Sequence, residues 1–253
     1  MPPSGTSLPE GTLLSHLVEL RQRLLRMVVA ILVLFLCMAP FADKLFSFVA
    51  APLMAWLPEG TSMIATQVAS PFLTPFKTAM VAAIFLAMPW ILFQIWQFIA
   101  PGMYQQEKRL AIPLVVSSAI LFYAGVAFAY FAVFQLMFRF FTTVAPEGVS
   151  VMTDINAYLD FVLALFFAFG MAFEVPIATV LMVWAGFTTP AKLKSHRAYI
   201  LLGAFIVGMF LTPPDIISQT LLAVPIYVLY EAGIILSKIL VPGHKEVESQ
   251  QSG

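Results

Sequence analysis

Tyr158 to Phe187 reads YLDFVLALFFAFGMAFEVPIATVLMVWAGF, thirty residues in which Asp160 and Glu174 carry the only charges. A helix of ~20 apolar residues crosses a hydrocarbon core about 30 Å thick, so this stretch is a membrane span with length to spare. Five more apolar runs surround it: Leu24 to Phe41, Phe76 to Ala100, Ile112 to Met137, Ala198 to Leu211, and Ile216 to about Leu240. The composition agrees. Of 253 residues, 61% are hydrophobic and 10% charged, where a soluble domain carries about 25% charged residues, and a water-soluble globule is excluded. The 24 Phe and 13 Met exclude a disordered chain, and 13 basic against 13 acidic residues leave no electrostatic footprint for nucleic acid. The expected fold is an all-α membrane protein with six transmembrane helices. Residues 1–240 form one domain that opens with an amphipathic cytoplasmic segment, and residues 241–253 form a polar, disordered cytoplasmic tail.

The spans are unequal. Ser70-Pro71 has the form of an N-cap followed by Pro at N1, which extends the second helix to about 30 residues, or ~45 Å. The fifth run is short, at ~21 Å, and the sixth has about 15 apolar residues before Glu231 interrupts it. A short fifth and a short sixth helix are therefore expected, with Thr212-Pro213-Pro214-Asp215 joining them below the far membrane surface. Basic residues set the orientation. Arg21, Arg23, Arg26, Lys108, Arg109, Lys192, Lys194, Arg197, Lys238 and Lys245, ten in all, fall on one side, and Lys44, Lys77 and Arg139, three in all, on the other. Both termini are expected in the cytoplasm. The basic stretch before Leu24 looks like the start of a cleavable leader, but a long segment precedes it and no small-x-small cleavage site follows. In the first outer loop, Asp43 to Gln67, the residues Leu45, Val49, Leu53 and Trp56 share one helical face beside Phe46 and Phe48. This fits either an interfacial helix kinked at Pro52 or a loop helix packed on the bundle.

Chemistry has few candidates. Cys37 is the single cysteine, which excludes an intramolecular disulfide, a zinc cluster and Cys-x-x-Cys redox work. There is no phosphate loop and no His-Glu-x-x-His motif, and His16, His196 and His244 all fall near the cytoplasmic face, away from any intramembrane serine. No catalytic residue, metal or cofactor is expected. Carboxylates are more informative, because a charged acid in hydrocarbon is costly and persists only when paired, protonated or functional. Glu174 lies mid-span in Phe173-Glu174-Val175-Pro176, where Pro176 removes a helical hydrogen bond and frees the Ala172 carbonyl. It serves either packing within the bundle or contact with a partner helix or substrate. Ahead of the first span, Leu13, Leu17, Leu20 and Leu24 form an apolar stripe opposite Ser15, Glu19, Arg23 and Arg26. On spacing alone, Glu19 and Arg23 are a surface i, i+4 pair worth a few tenths of a kcal/mol.

Four motifs then stand in order: His16-Leu-Val-Glu19-Leu-Arg21, Phe98-Ile-Ala-Pro101-Gly-Met-Tyr104 leading to Glu107-Lys-Arg109, Phe173-Glu174-Val-Pro176, and Thr212-Pro-Pro-Asp215-Ile-Ile-Ser218-Gln219-Thr220. Together, on a six-span frame, they resemble the TatC family, the multispanning receptor subunit of the twin-arginine protein translocase, over roughly residues 12–240. Gln105 and Gln106 replace positions that are more basic in some relatives. The resemblance implies a multi-pass protein of the bacterial cytoplasmic (inner) membrane, not an enzyme. It implies binding of twin-arginine signal peptides on folded cargo, recruitment of the single-span TatA and TatB subunits, self-association in a receptor complex, and export driven by the proton-motive force. Residue by residue, it assigns Glu19, Arg21, Phe98 and Glu107 to signal-peptide binding, Glu174 and Gln219 to partner-helix docking, and Pro52 and Asp215 to structural or functional loop positions. Two guanidinium groups do need carboxylates placed for forked hydrogen bonds. At ~1.5–3 kcal/mol per contact, two such pairs give at most ~6 kcal/mol, and micromolar binding needs about 8.2, so apolar contacts must add the rest.

Two other readings compete. A proton- or ion-coupled small-solute transporter would use Glu174 and Asp215 near broken helices, but such folds carry internal repeats and none is visible here. A purely structural assembly subunit would lack the receptor role.

Overall fold

The computed structural model describes residues 10–55, 62–99, 108–137, 139, 152–211 and 216–240. Helix α1 (Glu10–Met38) passes through a 3-10 turn at Ala39–Phe41, where Pro40 interrupts regular bonding, into α2 (Ala42–Met54). Helices α3 (Ser70–Ile99) and α4 (Lys108–Phe128) follow, and α4 runs on through a π-helical turn at Ala129–Val133. Then come α5 (Ile155–Ala172), α6 (Val175–Trp184), the short α7 (Pro190–Ser195), α8 (Arg197–Leu211) and α9 (Ile216–Leu240). Among the described residues, five stretches are long and apolar enough to cross a membrane: Leu17–Met54, Ser70–Phe98, Ile112–Met137, Ile155–Trp184 and Gln219–Leu240. Arg197–Phe210 is the short apolar helix the sequence predicts as the fifth span.

Several local expectations change. The 158–187 run is two helices, not one. Pro176 has no N–H to offer the Ala172 carbonyl, so the chain tightens at Phe173-Glu174, where Glu174 N bonds back to Met171 O at 3.1 Å before α6 begins. Ser70 does not cap α3. The Ala69 carbonyl accepts from Phe72 and Leu73, while Ser70 Oγ is buried without a hydrogen-bond partner among the described residues, so the cap lies one residue earlier. The sixth helix is short only in its apolar part. It continues past Glu231 to Leu240, 25 residues in all, since glutamate interrupts an apolar run but not a helix, and Arg197 of α8 meets that carboxylate: Nε lies 2.5 Å from Oε1 and Nη2 donates to Oε2 at 2.6 Å. In the outer loop, α2 packs on the bundle. Val49 and Leu53 are buried in the core, the Tyr158 hydroxyl donates to Val49 O at 2.8 Å, and Pro52 sits inside the helix. Cys37 is exposed, towards lipid. Trp56 and the 241–253 tail lie outside the described residues.

The core gathers around α5, whose Leu159, Val162, Phe166 and Phe169 meet Phe134 and Met137 after the π-turn, and Leu222 of α9. Helix contacts in lipid depend on close van der Waals packing, which favours small residues at crossings. Gly125 of α4 faces the Phe169 backbone, Gly170 of α5 faces the Phe122 ring, and Gly233 of α9 faces Pro176 and Thr179 of α6.

At the outer end, Asp154 caps α5. It accepts from the Thr66 hydroxyl at 2.6 Å and the Thr66 amide at 2.9 Å, and from Asn156 and Ala157 amides at 2.9 and 3.0 Å. The Thr66 hydroxyl and these amides hold its carboxyl down at about 2. The same contact pairs Ile64 with this segment, Ile64 N to Thr153 O at 3.0 Å and Ile155 N to Ile64 O at 2.9 Å. Because the folded pKa is depressed, the contribution is full at neutral pH and is lost as pH falls from the ordinary carboxylate range towards 2. Asp154→Ala is expected to deprotect the Ile64 and Ile155 amides in hydrogen exchange at neutral pH. Wild-type protection that is unchanged by the substitution would refute the cap's role.

Candidate functional site

Helix α1 meets the bundle with its polar face. Leu17, Leu20 and Leu24, the apolar stripe, are 61%, 44% and 55% exposed, while Glu19 and Arg23 turn towards α3. Hydrocarbon as solvent explains the arrangement: an outward leucine costs nothing there, whereas a polar group needs protein partners.

Arg23 is the hub of the site. Its Nε and Nη2 donate to Glu19 Oε1 at 3.0 and 2.5 Å. Its Nη1 donates to Gln97 Oε1 at 2.8 Å and to Gln94 Oε1 at 3.4 Å, and Nη2 also reaches the Gln97 carbonyl at 3.2 Å. The Arg23 side chain is 14% exposed and that of Glu19 34%. The predicted surface pair is thus a part-buried, charge-assisted network that ties α1 to the last turns of α3. Phe98 follows Gln97 directly and is partly buried, and Arg21 is exposed. Glu107 and Asp215 lie outside the described residues. Gln94 and Gln97 were legible only as two amides three residues apart in an apolar run, a spacing that puts them on one helix face.

A second polar point lies deeper. Glu174, at the α5/α6 break, accepts through Oε2 from the Ser118 hydroxyl of α4, and its Oε1 is buried without a partner among the described residues. Ten residues separate Ser118 from the start of α4, ~15 Å along the helix, so this contact sits well inside the span. Gln219 is elsewhere. It faces Gly208 of α8 near the start of α9, and Gly233, an α9 residue set against Pro176, is fourteen positions further along, ~21 Å away. The structure does not bring Glu174 and Gln219 together. Among the described residues no group of His, Cys, Asp and Glu is arranged to hold a metal ion.

The family model of the Sec-independent protein translocase protein (TatC) matches residues 15–225, which takes in the α1 network, Glu174 and Gln219. The chain belongs to the TatC family. It is 58% identical over 233 residues to the Sec-independent protein translocase protein TatC of Azotobacter chroococcum mcd 1, covering 92% of this chain and 90% of that one. To TatC of Escherichia coli (strain K12) it is 55% identical over 229 residues, 90% of this chain and 89% of that one. A crystal structure of the twin-arginine translocase receptor TatC superimposes with a TM-score of 0.80 at 37% identity, covering 88% of this chain and 98% of that one. As a TatC protein, the chain is a multi-pass membrane translocase receptor subunit and not an enzyme, and the small-solute transporter reading is set aside.

Proposed function

We propose that this TatC protein binds twin-arginine signal peptides of folded cargo at its basic end, through Glu19 with Arg21, Phe98 and Glu107, and recruits TatA and TatB for export across the cytoplasmic membrane under the proton-motive force. The observation that carries the reading is the Glu19 carboxylate. It is held at the edge of the bundle, half-exposed, on the side of the membrane where the basic residues of α1, α7 and α8 collect, which the positive-inside rule puts in the cytoplasm where such signals arrive. Glu107, nine residues beyond Phe98, supplies the second carboxylate for the second guanidinium. Phe98 and the outward leucines of α1 offer apolar surface for the hydrophobic part of the signal, which the affinity arithmetic requires. Arg21 is a cation and cannot pair with arginines, so it orients an acid or holds the loop. Glu174 and Gln219 then act as separate polar contacts for partner helices, with Pro52 and Asp215 shaping the outer connections, and copies of the chain associate in the receptor complex.

The test is binding of a synthetic signal peptide with an Arg pair, compared with the same peptide carrying a Lys pair, to the purified full chain. Specific binding of the Arg-pair peptide, abolished by Glu19→Lys and by Glu107→Lys at equal protein abundance, is the expected result, since a like-charge contact costs several kcal/mol. Undiminished binding to the double Lys variant would overturn the assignment.

A further inference from the structure

Glu19 does not stand alone: one guanidinium holds it, and that guanidinium is itself held. We propose that Arg23 is a positioning and specificity-determining residue, a fixed clasp that presents the free Oε2 of Glu19 in one orientation and so lets the site tell arginine from lysine. The inference rests on the reading of Glu19 as the receptor carboxylate.

Three features of the clasp carry it. Both Arg23 donors that reach Glu19 go to Oε1, so Oε2 is outside the clasp and the carboxylate keeps an acceptor for a ligand. The remaining Arg23 donors are committed to α3, through the Gln97 side chain, the Gln97 carbonyl and the Gln94 side chain. And the burial is graded: Gln94 is 1% exposed, the Arg23 side chain 14% and the Glu19 side chain 34%. The anchor is inside and the presented group is at the edge.

The clasp could instead be an internal stand-in for the ligand's arginine, which binding must displace. The geometry argues against that. Displacing Arg23 would strip three acceptors on α3 and leave the buried Gln94 amide without its guanidinium partner, which is unfavourable in a low-dielectric setting. A ligand that uses Oε2 leaves the clasp intact. A planar fork held at a fixed angle also explains selectivity. Guanidinium can share an oriented carboxylate through directed N–H bonds, whereas the ammonium of lysine is a compact point charge that gains little from a fixed orientation. If Glu19 swung freely, either cation would satisfy it.

The two mechanisms differ in sign. With Arg23→Gln, positioning predicts that the Arg-pair peptide binds about tenfold or more weakly, the size of one charge-assisted contact, and that affinity for the Lys-pair peptide changes little, so discrimination collapses. Displacement predicts tighter binding of both peptides, because a competing cation has gone. Arg23→Lys keeps the charge but not the fork, and is expected to behave as Arg23→Gln does in discrimination. A fold defect would lower both affinities together, and intact α1–α3 packing is checked by disulfide crosslinking between cysteines introduced at Val29 and Trp90 in a Cys37→Ala background. The inference fails if Arg23→Gln binds the Arg-pair peptide as well as wild type or better, or if Arg23→Lys retains full discrimination. Glu19→Ala is the separate control. Should it bind the Arg-pair peptide like wild type, the receptor assignment of Glu19 itself has failed, whatever Arg23 does.

Discussion

Gly125→Ala is expected to prevent stable assembly of the bundle, while Gly203→Ala, an identical chemical change, is expected to be tolerated. A Cβ at Gly125 would lie 2.4 Å from the Phe169 carbonyl oxygen and 2.9 Å from its carbon, with the Phe173 ring also at 2.9 Å. Backbone cannot step aside as a flexible side chain can, so α4 and α5 would have to separate. The cost exceeds the usual ~1–3 kcal/mol of core overpacking, since the reciprocal contact of Gly170 against Phe122 is opened by the same movement. Gly203 has nothing within 4 Å of its Cβ position, and alanine is the better helix former by about 1 kcal/mol. Thermal unfolding of the two variants in detergent separates them. Equal melting temperatures would mean that the α4–α5 crossing is looser than its geometry states.

Glu174→Leu is expected to abolish export while leaving signal-peptide binding at the basic end intact, and Glu174→Gln is expected to keep substantial export. The Glu174 carboxyl accepts from Ser118 and has a second oxygen that is buried without a partner among the described residues, and its position inside the span suits a polar group able to exchange partners. An interhelical polar contact in lipid is worth ~0.6–2 kcal/mol, enough to bias docking of a partner helix and weak enough to exchange during transport. Glutamine preserves that capacity; leucine removes it and strands the Ser118 hydroxyl. Site-specific crosslinking to TatA and TatB, run alongside the export assay, should fall for leucine and persist for glutamine. If glutamine is as inactive as leucine at equal abundance, Glu174 works through its charge or by relaying a proton, and the neutral-contact mechanism is wrong.

What the amino-acid sequence determined by itself was the set of spans, because crossing hydrocarbon needs only length and apolarity, both of which are local. The sixfold pattern, the short Ala198 to Leu211 segment and the family motifs all follow from residues read in order. The cost of a charge in lipid likewise singled out Glu174 without any neighbour in view. Tertiary structure decided which way polar groups face. The leucine stripe of α1 turned outward and Glu19 and Arg23 turned inward because the solvent is lipid and the acceptors, Gln94 and Gln97, lie more than seventy residues away. Pairing of Glu231 with Arg197 and of Glu174 with Ser118 depends in the same way on helices distant in the chain. The glycine crossings make the point most sharply. Gly125, Gly170, Gly203 and Gly233 are alike as letters in apolar runs, and only the approach of another helix separates the three that meet a neighbour from the one that meets nothing.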